Sequence, residues 1–105
     1  MFLIFVYFSV FHADHQLPNN PILPQVSVSD VKAEMMLEFL ASHLGYDLKL
    51  LDELDQIIDF ELEEVSATTV LNEICKKTHS EWRFVNGQII VGSDEQLLEF
   101  DSVPL

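Results

Sequence analysis

The sequence predicts an α+β fold: two β-α-β units whose two helices pack on small mixed sheets. Three observations predict it. A pattern of short strand, amphipathic helix and second strand occurs twice, 34 positions apart, so that Val31/Val65, Ala33/Ala67, Met36/Val70, Leu37/Leu71, Leu40/Ile74, Ala41/Cys75, Leu48/Trp82 and Leu50/Phe84 correspond. In each copy the apolar residues switch from a period of two to a period near 3.6 and back again. Asn86-Gly87 then stands between two short apolar runs, the dipeptide of a two-residue type I′ hairpin.

At 105 residues there is room for one domain with a core of modest size. The 18 Asp+Glu against 5 Lys+Arg give a formal charge of −13, which repels nucleic-acid phosphates and anionic lipid head groups alike. The cations, Lys32, Lys49, Lys76, Lys77 and Arg83, are few and scattered, and Arg83 between Trp82 and Phe84 does not by itself make the repeated basic and aromatic interleaving that single-strand binding requires. Nucleic acid is therefore excluded as an expected partner, and a basic protein surface is favoured.

Residues 1–11, MFLIFVYFSVF, carry no charge and are too few to span a bilayer, which takes about 20 residues. They match the apolar region of a secretory signal peptide over residues 1–13, with cleavage after Ala13. No Lys or Arg precedes the run and Phe11 stands where a small residue is preferred, so a buried N-terminal strand and a membrane-associated stub fit the same residues. Residues 14–25, DHQLPNNPILPQ, have the prolines and asparagines of an extended linker.

The domain proper is expected over residues 26–92. Val26 and Val28 alternate with Ser27 and Ser29 as a strand, and Ser29 or Asp30 is the expected N-cap of a helix with Ala33, Met36, Leu37, Leu40, Ala41 and Leu44 on one face. Gly45 stops it as a left-handed residue. A strand at 47–51 and an acidic turn follow. Ile58, Phe60 and Leu62 then alternate with Asp59, Glu61 and Glu63, the pattern of a half-buried strand. Ser66 or Thr68 is the expected cap of the second helix, whose stripe is Ala67, Val70, Leu71, Ile74, Cys75 and the methyl of Thr78. Lys76 and Lys77 fall in its last turns, complementing the helix dipole. The hairpin WRFVNGQIIVG ends at Gly92, and residues 93–105 form an acidic tail with a small apolar patch, Leu97, Leu98 and Phe100, which reads as a short helix or a disordered tail and serves either as a free tail or as a docking segment.

This order of elements resembles the short N-terminal domain of secretins and TonB receptors, the STN family. Met36-Leu37, Leu40-Ala41 and Gly45 match its first helix and turn, and Val65-Ser66, Val70-Leu71, Ile74, Thr78, Trp82, Asn86-Gly87, Ile89 and Val91 match its second half. The resemblance covers residues 26–92 and rests on apolar spacing and turns, without a polar signature. It implies a periplasmic module that binds partner proteins in secretion, pilus assembly or transmembrane signalling. Only 13 residues follow Gly92, so the expectation is a stand-alone module or a fragment of a longer protein.

Residue chemistry argues against catalysis. His12, His15, His43 and His79 have no metal-ligand spacing, and the seven carboxylates between Asp52 and Glu64 lack the order of a calcium loop. Ser, His and Asp occur without a GxSxG elbow, which leaves a small hydrolase using His43 or His79 as a rival reading. Cys75 lies on an apolar helix face and reads as a buried thiol, and Trp82 and Tyr46 read as packing residues rather than ligand platforms. No catalytic residue, metal or cofactor is expected. The candidate partner-binding face is Asp59, Glu61 and Glu63, where negative charge steers a basic envelope protein toward an exposed strand. The chain is expected to be a monomer or weak oligomer, with any membrane contact transient and through its N-terminal segment.

Overall fold

The computed structural model describes residues 16–101, with side chains to Leu98; the expected signal peptide, His12 and His15 lie outside them. The elements are β1 (Ile22–Lys32), α1 (Ala33–Leu44), β2 (Asp47–Leu50), β3 (Ile57–Ser66), α2 (Ala67–Lys77), β4 (Glu81–Val85), β5 (Gln88–Gly92) and α3 (Asp94–Asp101). Strands β1 and β3 form a two-stranded antiparallel ribbon. The second sheet has the order β2-β5-β4, parallel between β2 and β5 and antiparallel between β4 and β5. The fold is the α+β arrangement of small mixed sheets that the periodicity predicts, with a third helix added.

The repeat is built into the backbone. Gly45 ends α1 at φ 81°, and the residue 34 positions later, His79, stands at φ 55° just beyond α2. Asp30 and Glu64, also 34 apart, stand at φ 57° and 50° three residues before their helices. The ribbon carries the same relation: shifting the pair Val26↔Leu62 by 34 residues gives Phe60↔Val28, and Ser27↔Glu61 maps onto itself. Such a register is that of an approximate twofold axis between Ser27 and Glu61. A bulge between Val28 and Val31 breaks it by one residue.

The two helices pack on each other and on both sheets. Their buried residues are Ala33, Leu37, Leu40, Ala41 and Leu44 on α1, and Ala67, Thr68, Val70, Leu71, Ile74 and Cys75 on α2. Met36 of the predicted stripe is only half-buried. Trp82, Ile89 and Val91 close the core from the second sheet, while Ile58 and Val28 close it from the ribbon. Strand β5 is central and buried on both faces, so Ile89, Ile90 and Val91 run without alternation. Helix α3 packs on β4 and β5, and Leu97 is buried.

Three sequence expectations need correction. The first helix has no side-chain cap: strand β1 runs on through Lys32, past a left-handed residue at Asp30, so Ser29 and Asp30 belong to the strand. Its first N–H groups instead donate to carbonyls of the β2–β3 loop, Ala33 to Gln56 at 2.8 Å and Glu34 to Leu54 at 3.0 Å. Strand β1 begins at Ile22, inside the stretch expected as linker, because β3 is long enough to pair with it back to Ser66. Residues 16–21 are docked rather than free. Leu17 is buried, and this segment covers the start of α2: Ala67 N–H donates to the Pro21 carbonyl, Thr68 N–H to Asn20 Oδ1, and Leu17 N–H to Thr68 Oγ1.

The other local signals correspond to what is observed. Ser66 Oγ accepts from Thr69 N–H at 3.2 Å as the cap of α2. Asn86 and Gly87 both have positive φ, as a type I′ turn requires. Of the two alternatives for the tail, residues 94–101 take the helical one. Gly92 is in a tight place: a Cβ there would lie 3.0 Å from Leu51 and 2.9 Å from Gln96 Oε1, so a larger residue has to displace one of these side chains.

Candidate functional site

Antiparallel pairing puts alternate residues of β3 on the outer face of the ribbon. Asp59, Glu61 and Glu63 are all exposed there, while Ile58 on the other side is buried and Phe60 and Leu62 are half-buried. The predicted acidic face therefore exists as one surface. Across the ribbon Glu61 is opposite Ser27 and Glu63 is opposite Gln25. Ser27 Oγ donates to Glu61 Oε2 at 3.2 Å, and the backbone N–H of Asp30 donates to Asp59 Oδ1 at 2.8 Å. The second bond explains the bulge, since the left-handed turn at Asp30 aims that N–H away from the ladder and toward the carboxylate.

The remaining carboxylates of the 52–64 stretch are dispersed. Asp52, Glu53 and Asp55 are exposed in the β2–β3 loop, and Glu64 occupies the left-handed position before α2. His43 stacks on Phe39, with ring centroids 6.1 Å apart, and His79 is exposed beyond α2. Among the described residues no group of three His, Cys, Asp or Glu side chains is placed to hold a metal ion.

Of the groups singled out as packing residues, Trp82 and Cys75 are in the core and Tyr46 is half-buried against it. Trp82 is buried, and its indole N–H donates to Asn72 Oδ1 at 2.7 Å. Tyr46 meets Phe84 edge-on at 4.7 Å, and its hydroxyl accepts from Asn19 N–H. Burial, reinforced by the charge of Glu81, pushes the Cys75 thiol up to about 12, so it is protonated and unreactive at neutral pH.

One feature of the surface escapes sequence reasoning. Between β1 and α1 runs a groove of about 300 Å³, its strand wall running from Leu23 to Ser27. Its helical wall consists of Met36, Phe39, Leu40 and His43, with Val70 also lining it. Phe39 is 65% exposed, a large aromatic surface for a helix whose other face is buried. The only sequence signal was Phe39 itself, an aromatic residue outside the apolar stripe.

No protein-family model matches the chain, and no curated protein matches it. Among solved structures it is similar to the crystal structure of a putative anti-sigma factor from Parabacteroides distasonis ATCC 8503, with a TM-score of 0.58 and 18% identity. The match covers 66% of this chain and 34% of that one, so the chain spans about a third of the length of that structure. At that identity the likeness is one of fold. No helix among the described residues is long and apolar enough to cross a membrane.

Proposed function

We propose that this chain is a protein-interaction module of the bacterial envelope, acting by non-covalent contact in secretion, pilus assembly or TonB-linked signalling, as its resemblance to the STN family implies. The observation that carries this reading is the ribbon. Among the described residues β1 and β3 pair only with each other, and the exposed face of β3 presents Asp59, Glu61 and Glu63 together. A strand edge beside a single-sign surface is a device for recognising a protein segment of opposite charge. The fold likeness to a protein described as an anti-sigma factor favours the signalling branch over the other two.

The full chain, immobilised and exposed to an envelope extract of its host, is expected to retain a basic protein at low salt and release it as salt rises past about 0.3 M, where screening shortens to a few ångströms. Retention of nothing from the envelope would sink the reading. Export is tested separately by the mass of the native protein. An N-terminus at Asp14 supports a cleaved signal, whereas an intact Met1 supports an accessory protein tethered by its apolar start.

A further inference from the structure

We infer that the slot between β1 and α1 takes an extended, basic segment of a partner protein as an added strand, with an apolar side chain of that segment seated against Met36, Phe39 and Leu40. The inference rests on the protein-interaction reading above and moves the contact from the outer face of the ribbon to its β1 edge.

Side chains of a strand alternate between its faces, so a groove lying on a face touches every second residue. This groove touches five consecutive residues, Leu23, Pro24, Gln25, Val26 and Ser27, and therefore runs along the strand's edge. The opposite edge of β1 is taken by β3, and among the described residues no strand pairs with this one. The second wall is one face of a helix, since Met36, Phe39, Leu40 and His43 stand at i, i+3, i+4 and i+7. A strand edge faced by a helix at the width of a groove provides both backbone partners and a side-chain pocket for an extended peptide. Pro24 removes one donor from the edge, which discourages indiscriminate pairing and leaves the apolar wall to supply much of the affinity.

Charge selects the kind of segment. No Lys or Arg lines the groove, in a chain of formal charge −13. Gln25 and Ser27 on its strand wall stand directly opposite Glu63 and Glu61. An added strand lies about 4.8 Å from β1 and so about 10 Å from β3. That separation is within the reach of a lysine or arginine side chain aimed across the ribbon, and comparable with the screening length of about 10 Å at 0.1 M salt. A basic segment gains from Glu61 and Glu63 at that range, and an acidic one is repelled.

The test uses the full chain and a labelled nine-residue peptide in which lysine alternates with valine around a central phenylalanine, followed by fluorescence anisotropy. Saturable binding is expected, weakened about tenfold by Phe39→Ala, a loss of one decade in Kd for one truncated aromatic contact. Phe39 is exposed, and an unchanged melting temperature of the variant separates lost binding from lost fold. Glu61→Gln with Glu63→Gln is expected to flatten the salt dependence. The same peptide methylated on alternate backbone amides should not bind, because an added strand needs those donors. Equal binding of the methylated peptide, equal binding of a glutamate-for-lysine peptide, or indifference to Phe39→Ala would each overturn the inference. No peptide binding, with the slot filled by residues 1–15 or by a second copy in a cross-linking experiment, would overturn it as well. If the envelope partner is retained equally by the parent chain and by Phe39→Ala, the slot is wrong while the interaction reading stands.

Discussion

At the scale of single residues, the repeat sets up two comparisons between equivalent positions. Gly45 and His79 terminate the two helices in the same left-handed conformation, yet only one of them is glycine. A Cβ at Gly45 would meet nothing within 4 Å, so the cost of Gly45→Ala is the backbone preference alone, about 1 kcal/mol. His79→Gly runs the other way and should stabilise the fold by roughly 0.5 kcal/mol, after the extra chain entropy of glycine is subtracted. Urea denaturation of the pair checks both signs. The other comparison is Ala41 with Cys75, buried at equivalent places. Because the folded thiol titrates near 12 and the unfolded one near 9.0, the native state holds a proton that the unfolded chain gives up between those values. Stability contributed by the buried neutral thiol is thus complete below pH 9 and falls as pH rises toward 12. The parent chain should lose stability more steeply than Cys75→Ala across that window, and parallel slopes would refute the assignment. For the same reason iodoacetamide should leave native Cys75 unmodified at pH 8 and alkylate it in urea, read by mass.

At the scale of elements, the ends of the helices show how much local structure depends on distant chain. The first N–H groups of α2 are met by Pro21, Asn20 and Ser66, so one cap comes from the adjacent residue and two come across the fold. Helix α1 has only the distant kind, from Gln56 and Leu54. Helix α3 is capped locally: Gln96 N–H donates to Ser93 Oγ at 3.1 Å and Ser93 N–H to Gln96 Oε1 at 2.8 Å, a reciprocal capping box. Gln96 Nε2 also donates to the Leu51 carbonyl at 3.2 Å, which ties the helix to the end of β2. Ser93→Ala should therefore cost about 1 kcal/mol, felt mostly in α3. Hydrogen exchange is the suitable measurement: amides of residues 94–101 should speed up while those of α2 stay protected. Acceleration spread evenly over both helices would mean that α3 does not open independently. The Ser93-x-x-Gln96 spacing is itself a helix start signal, so four residues of sequence carry the preference of the tail for a helix over irregular chain.

At the scale of the whole molecule, charge sets opposite demands on folding and on binding. A formal charge of −13 on 105 residues makes the compact state repel itself, and the ion pairs Lys77–Glu73 and Arg83–Glu81 are both at 3.7 Å on the surface. Exposed pairs of this kind contribute well under about 1 kcal/mol each. Screening should therefore stabilise the fold. Raising sodium chloride from about 0.02 M to about 0.5 M is expected to lift the melting temperature by on the order of 4 °C, equivalent to about 1 kcal/mol in a domain of this size. The same change should weaken capture of a basic partner. A melting temperature that falls with salt would show that attractive charge contacts, rather than net repulsion, dominate the folded state.

Periodicity and single-residue turn chemistry settled the two units, the inward faces of α1 and α2, the left-handed stop at Gly45, the Asn86-Gly87 hairpin and the outward placement of Asp59, Glu61 and Glu63. Each of these depends on residues within one or two turns of each other, so the physics that decides it is present in a short window of sequence. Strand partners were decided otherwise. That β1 pairs back to Ile22, that β5 lies between β2 and β4, and that residues 16–21 cover the start of α2 follow from which backbone donors and acceptors come to face each other once the core closes. The same holds for the slot of the proposed strand addition. Leu23–Ser27 and Met36–His43 face each other only because β3 has taken the other edge of β1 and the α1 stripe has turned toward the core. Burial is a demand that a local pattern can announce, whereas pairing is a choice among edges that only the assembled chain presents.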